Sequence, residues 1–144
     1  LGMRIFSTRL MSGCMTKRAL RLFGDEQYRT MRKELFAAFI SALGSTPDYR
    51  FARIKRERAD WQEAVELLLL FAHDMLNTAC GGEPEYCPDF KDQIKKLCLH
   101  FTIGDIGCII DELTDCARRT ATNASGGAAF DRLFSNAAGI ARRA

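Results

Sequence analysis

The stretch "DWQEAVELLLLFAHDMLNTA", residues 60–79, decides the fold of this chain. Its apolar side chains recur every three or four residues, as they do along one face of an amphipathic α-helix. That face consists of Trp61, Ala64, Leu68, Phe71, Met75 and Ala79, and Leu67, Leu69 and Leu70 widen it beyond one stripe. A helix that is apolar on several sides either lies at the centre of a bundle or is covered by another subunit. The pattern leaves both possibilities open.

Helical periodicity continues upstream of this central helix. A series of apolar residues from Tyr28 to Leu43 predicts one amphipathic helix, and "GSTPD", residues 44–48, ends it with Gly44 as the predicted C-cap. A shorter helical pattern runs from Met11 to Leu22. At the start of the central helix, Asp60 with Glu63 three residues later has the spacing of a capping box.

Three more helices are predicted downstream, after the loop "CGGEPEYCPD". Asp89 is the predicted cap of a short helix that ends near Phe101, and Thr102 with Asp105 predicts a capping box for the next helix. The stripe of that helix is Ile103, Ile106, Ile110, Leu113, Ala117 and Thr120. After "NASGG", the last helix carries Phe130, Leu133, Phe134, Ala137 and Ile140. No alternating strand pattern competes, so we expect an all-α bundle of about five helices.

The composition fits one soluble domain of ordinary size. The chain has 144 residues, of which 47% are hydrophobic and 27% charged, and no run approaches the roughly 20 apolar residues that a membrane span needs. Its first residues contain no long apolar stretch and do not begin with Met. We therefore expect no secretory signal, and we expect the chain to be part of a longer protein.

The net charge of +3 is unevenly distributed. Residues 1–60 contain 13 Lys and Arg against 6 Asp and Glu, whereas residues 61–144 contain 8 against 12. The densest basic run is "RFARIKRER", from Arg50 to Arg58. Such a run either contacts phosphate groups or is a solvated helix face or linker, and the sequence leaves both interpretations open.

The six cysteines do not have the spacing of a metal site. They stand at positions 14, 80, 87, 98, 108 and 116, and no two of them form a CxxC pair. We interpret them as reduced structural thiols, which predicts a cytoplasmic protein. Cys80 and Cys87 flank a loop and are the pair that an oxidising compartment would join.

Catalytic and metal-binding patterns are not apparent. His73 and His100 belong to different predicted helices, and no HExxH, GxSxG or Walker-type sequence occurs. Asp111 and Asp115 are four residues apart on one helix face, which suits a metal, but no second helix supplies the Glu-x-x-His of a di-metal bundle. We expect no catalytic residue, no cofactor and no metal, and a solvated acidic face at Asp111 and Asp115.

Three stretches together carry a family resemblance: "LMSGCMTKRALRLF", "WQEAVELLLLFAHDML" and "DFKDQIKKLCLHFTIGDIGCIIDELTDCARRTATNASGGAAFDRLF". A Ser-Gly turn precedes an Arg-Ala-Leu helix, and the long apolar helix closes on Phe71, His73, Asp74, Met75 and Leu76. Paired arginines are followed by an Asn and an aliphatic helix, here Arg118, Arg119, Asn123 and residues 128–134. In their order and spacing, over residues 8–136, they resemble the C-terminal part of bacterial DNA polymerase III clamp-loader subunits, best the delta prime type.

The resemblance implies a fold and a role. It implies a five-helix collar-type bundle over residues 26–144, preceded by a short helical remnant of the lid-type segment over residues 1–25. Clamp loaders are five-subunit ATPases that place a sliding clamp on primed DNA, and their collars hold the pentamer together. This region would then perform no catalysis, although the holoenzyme that it serves is a DNA-directed DNA polymerase. Its partners would be the gamma/tau and delta subunits, with DNA reached only indirectly and no membrane.

The resemblance also implies site residues. The apolar excess of the central helix and the final helix pair are the expected oligomer interface, formed by Trp61, Leu67, Leu69, Leu70, Arg118, Arg119, Phe130 and Phe134. In ATPase relatives a basic residue after the Ser-Gly turn senses nucleotide, and Lys17 or Arg18 matches it. The family's additional glycines are replaced here by Cys14 and Met15, so a surface basic helix start is the alternative.

Two alternatives to a delta prime collar are kept. One is the collar of a gamma/tau-type subunit, which the same resemblance fits. The other is a basic helical domain that binds nucleic acid through residues 50–58 and the N-terminal basic segment.

We expect the final two helices to form an antiparallel hairpin, with Arg118 and Arg119 in the last turn of the first, where cations favour the negative end of the helix dipole. Asn123 suits the left-handed residue that ends that helix.

Overall fold

The computed structural model describes residues 26–122 and 125–144, and all regular structure within them is helical. Five α-helices follow one another: α1 (Glu26–Leu43), α2 (Arg58–Ala79), α3 (Lys91–His100), α4 (Ile103–Thr120) and α5 (Gly126–Arg143). Two short 3₁₀ turns, Phe51–Arg53 and Pro88–Phe90, precede α2 and α3. The predicted all-α class with five helices is confirmed. The predicted lid-type segment with Lys17 and Arg18, and Asn123, lie outside the described residues.

The contacts divide the chain after Glu34, inside α1, and the second of the two units is residues 35–144. The second unit has α2 at its centre, because α2 packs against both α3 and α4, and α4 packs against α5. Phe71 of α2 is fully buried, and its ring centroid lies 5.0 Å from that of Phe36 and 5.8 Å from that of Phe39. The wide apolar surface of α2 is therefore used inside the chain. No helix among the described residues is long and apolar enough to cross a membrane.

The start of α2 differs from the predicted capping box. The helix begins at Arg58, its N-cap is Glu57 in extended conformation, and no side chain caps it. The backbone N–H of Asp60 instead donates to the carbonyl of Glu57, 3.0 Å away. Asp60 thus lies within the first turn, where its negative charge favours the positive end of the helix dipole.

The junction between α3 and α4 confirms one predicted cap and corrects another. Thr102 and Asp105 form a complete capping box at the start of α4, with side-chain-to-backbone distances of 3.1 Å and 2.9 Å. Asp89 does not cap α3, because it lies within the 3₁₀ turn and α3 begins at Lys91 without a side-chain cap. The chain enters α3 through a tighter helix instead of a free end, which leaves no place for an aspartate cap.

The buried stripe of α4 is also shifted relative to its prediction. Ile106, Ile109, Leu113, Cys116 and Thr120 are buried, whereas Ile103 is 54% exposed. Ile103 is the first residue of the helix, and the first turn projects beyond the core that the later turns contact. The predicted placement of Ile103 in the core was wrong.

The glycine pair that opens α5 fits closely against two neighbouring elements. Ser125 caps the helix by accepting a hydrogen bond from the Ala128 N–H at 3.3 Å. A Cβ at Gly126 would coincide with the indole ring of Trp61, and one at Gly127 would lie 2.7 Å from the carbonyl oxygen of Ala52. The two glycines allow the start of α5 to lie directly on the first 3₁₀ turn and on α2.

Candidate interaction site

Five of the eight predicted interface residues belong to the chain's own core. Trp61, Leu67, Leu70, Phe130 and Phe134 are at most 5% exposed. These five side chains pack inside the chain and leave little surface for a neighbouring subunit. Their role in an oligomer interface stays a prediction.

An aromatic cluster explains why the residues from α2 and α5 are buried. The ring centroids of Trp61 and Phe130 are 5.0 Å apart, and Phe51 lies 6.0 Å from Trp61 and 5.8 Å from Phe130. Phe134 continues the cluster one turn later, 5.8 Å from Phe130. Aromatic pairs at these separations add to the stability gained from burial alone. The cluster fixes the start of α5 against α2 and against the turn that begins the basic segment.

The other three predicted interface residues retain accessible surface. Leu69 is partly exposed, and the side chains of Arg118 and Arg119 are 70% and 42% exposed. Both arginines lie in the last turn of α4, as predicted, and both bind Asp115, at 2.6 Å and 2.8 Å. Arg132 of α5 approaches the same carboxylate at 3.6 Å. The arginine pair thus takes part in an ion cluster that links α4 to α5.

The same cluster occupies one member of the predicted acidic pair on α4, Asp111 and Asp115. The guanidinium groups of Arg119 and then Arg118 lower the pKa of Asp115 to about 2. Both carboxylate oxygens of Asp115 are engaged by arginines, while Asp111 is exposed one turn earlier. Within residues 26–122 and 125–144, no group of three or more His, Cys, Asp or Glu side chains is arranged to hold a metal ion.

An exposed apolar corner lies where α3 meets α4. Leu99 is 90% exposed and Ile103 is 54% exposed, whereas Phe101 between them is buried. Sequence reasoning missed this corner, because Leu99 stands beside the predicted face of α3 and Ile103 was placed in the core stripe of α4. One signal in the sequence could have revealed it. Leu99 lies off the apolar face of a short helix, so the helix pattern gives it no place in the core.

A groove of about 560 Å³ is lined by both apolar and polar residues, some of them from α3, the helix that ends at this corner. It is formed by the end of α1, by α3 and by the end of α5, and it includes Ile40, Leu43, Leu97 and Ala141. His100 also lines the groove, with its Nε2 3.2 Å from the carbonyl oxygen of Ala141. The ends of α1, α3 and α5 therefore leave a partly apolar recess between them.

The basic run of residues 50–58 is not a helix face. It begins with the 3₁₀ turn Phe51–Arg53, continues through an irregular segment and reaches the first residue of α2. It borders a second cavity, of about 370 Å³, between the turn, Trp61 and the start of α5. The basic side chains are thus gathered around a recess.

The loop after α2 is held by the carboxylate of Asp74, which the sequence analysis named only as part of the family resemblance. Asp74 is fully buried and accepts hydrogen bonds from the backbone N–H groups of Glu85, Tyr86 and Cys87, at 2.8 Å, 3.0 Å and 2.6 Å. His73 lies 3.9 Å from the same carboxylate and packs on the Tyr86 ring. The His73–Asp74 pair is therefore part of a loop anchor.

The cysteines remain thiols throughout the described residues. None of the five cysteines from Cys80 to Cys116 forms a disulfide, so Cys80 and Cys87 are not joined. Burial raises the pKa of the Cys116 thiol to about 12, and burial also raises the pKa of Cys98. In both cases burial favours the protonated thiol over the nucleophilic thiolate.

Comparison with known proteins yields no relative. The chain matches no family model, no curated protein and no solved structure.

Proposed function

We propose that this chain is an assembly module, the collar-type helical region of a bacterial DNA polymerase III clamp-loader subunit of the delta prime type. It would hold the loader's subunits together and would carry out no reaction itself. The observation that supports this proposal is the order of the elements along the chain. A long apolar helix, a loop and a short helix lead to a capped helix that ends in two arginines, and a small-residue break then leads to an apolar last helix.

The exposed apolar corner supports a role in binding another protein. Leu99 and Ile103 are two large apolar side chains, four residues apart, that the chain's own core does not cover. The partly apolar groove lined by Leu97 and His100 involves the same short helix, α3. Apolar surface of this kind commonly marks a protein–protein interface. The occupant that we propose is the collar of a neighbouring clamp-loader subunit, gamma/tau or delta, with DNA reached through the assembled loader.

The test is the native mass of the chain, measured by light scattering, alone and mixed with the collar regions of gamma/tau and delta. We expect a discrete hetero-oligomer. Replacing Leu99 and Ile103 by Ser is expected to abolish it while leaving the helical circular dichroism spectrum unchanged. The matched control is Ile54→Ser, because Ile54 is 53% exposed, nearly the same as Ile103, but belongs to the basic segment.

A chain that stays monomeric with every collar region would refute the proposal. Assembly that survives the Leu99 and Ile103 substitutions would instead place the interface elsewhere on the chain. A gamma/tau-type collar is the alternative that the same resemblance permits.

A further inference from the structure

The cavity beside the basic segment has a one-sided charge. Among the described residues that line its volume of about 370 Å³, four are cationic and none is acidic: the cations are Arg53, Lys55, Arg56 and Arg58. The whole chain carries a net charge of only +3. A recess that collects four cations without a carboxylate on its wall is a site of positive potential, which concentrates anions.

One of these cations is fixed in position. The Arg56 guanidinium lies over the Phe51 ring, 3.8 Å from its centroid, and 5.1 Å from the Trp61 centroid. It also donates to the carbonyl oxygens of Phe51 and Ile54. Because the aromatic cluster is buried, the wall that carries this charge is rigid. An arginine that is already held in place loses less conformational entropy when it binds a ligand.

Two further cations reach into solvent. The side chain of Arg53 is 66% exposed, and its Nε lies 3.5 Å from Asp131, longer than the 2.7–2.9 Å that is usual for a strong charged hydrogen bond. Lys55 is exposed as well. The Arg53 guanidinium also lies over the Tyr49 ring, 5.5 Å from its centroid, so binding an anion in the recess would replace these exposed contacts.

The start of α5 adds to the positive potential. Gly126 and Gly127 line the recess, and they stand at the end of an 18-residue helix where the dipole is positive. The Ser125 hydroxyl already accepts the Ala128 N–H, so it serves the helix and not a ligand. The helix end contributes less to the potential of the recess than the four side chains do, but its contribution is also positive.

We infer that this basic recess binds the phosphates of a nucleic-acid strand directly. Two or three donors satisfy one phosphate, whereas cations spread over residues 53–58 suit successive phosphates of one backbone. The inference is independent of the proposed collar function, in which this region touches no DNA. It assigns contacts to the backbone and none to the bases, so binding is expected to be indifferent to sequence.

The experiment is a titration of a fluorescent single-stranded oligonucleotide with the full 144-residue chain, followed by anisotropy between about 50 and about 200 mM salt. We expect log K to fall linearly with log salt, by about 0.7 for each phosphate contacted. The double variant Arg53→Ala/Lys55→Ala is expected to bind on the order of tenfold more weakly, with a slope shallower by about 1.4.

The matched control is Lys95→Ala/Lys96→Ala, which removes the same charge from exposed positions on α3. Thermal unfolding of both variants confirms that they fold, and the recess variant is expected to retain any hetero-oligomer formed with clamp-loader collars. Three results would each overturn the inference: no salt-dependent binding, equal losses in the two variants, or equally tight binding of a polyglutamate peptide of matched charge.

Discussion

At the scale of single residues, Asp74 is a buried polar side chain that anchors a loop. Its carboxylate is fully buried and receives three backbone N–H groups from residues 85–87. Without it those donors would lose their acceptor, and a buried donor without an acceptor, such as the Cys87 N–H, costs more than a typical hydrogen bond contributes. The loop between α2 and α3 thus depends on one side chain of α2.

We predict that Asp74→Asn destabilises the chain by about 3 kcal/mol. The amide keeps only one acceptor oxygen, and its NH2 group would face the backbone N–H groups of residues 85–87. Urea unfolding measures the loss. Amide hydrogen exchange should also show the N–H groups of residues 85–87 exchanging much faster than in the parent chain.

The control is Glu83→Gln, which removes the same charge from the same loop. Glu83 is exposed and pairs with Lys91 at 2.7 Å, and exposed pairs of this kind contribute little to stability. If the two variants lost equal stability, Asp74 would act only through its charge, and the anchoring role would be refuted.

At the scale of elements, the start of α5 shows what a glycine pair can do besides forming a turn. The sequence marked "NASGG" as a break, and the break is real, since α5 begins at Gly126. The reason for glycine is tertiary, because Trp61 occupies the space that a Cβ at Gly126 would need. Such a requirement comes from a residue 65 positions away in the chain and leaves no local pattern.

We predict that Gly126→Ala lowers stability by about 1–3 kcal/mol, as overpacking does in other well-packed sites. The matched variant is Gly107→Ala within α4, where a Cβ would meet nothing within 4 Å. That change should raise stability by about 0.5–1 kcal/mol, because alanine favours a helix interior over glycine. Thermal unfolding of both variants tests the pair, and effects of the same sign would contradict the packing argument.

Capping shows how far local sequence predicts the elements. Thr102 and Asp105 were predicted correctly because both partners of a capping box lie within four residues. Asp60 and Asp89 were also predicted as caps, but the helices begin two residues away from them, at Arg58 and Lys91. In those places the preceding backbone, and not a side chain, determines where the helix begins.

At the scale of the whole molecule, helix periodicity predicted the fold class but not the surface. The apolar excess of α2 was consistent with a central helix or with a subunit interface, and the structure uses it for the core, as Phe71 and Trp61 illustrate. Burial depends on which helices contact which, and the apolar periodicity of a single helix does not reveal its neighbours. The same limit explains why Leu99 was missed and why the basic run was not seen to surround a recess.

The ion cluster around Asp115 connects the last two helices and makes stability depend on pH. The pKa of Asp115 is lowered from 3.8 to about 2 in the folded chain, so its contribution is complete above about pH 4 and is lost as pH falls towards 2. Asp48, whose pKa Arg50 lowers to about 2, titrates in the same window.

We predict that Asp115→Asn removes part of the acid sensitivity, so that urea midpoints between pH 4 and pH 2.5 fall less steeply than in the parent chain. Asp111→Asn, exposed on the same helix, is the control, and a parental slope in the Asp115 variant would show that the cluster contributes nothing to the stability of the folded chain.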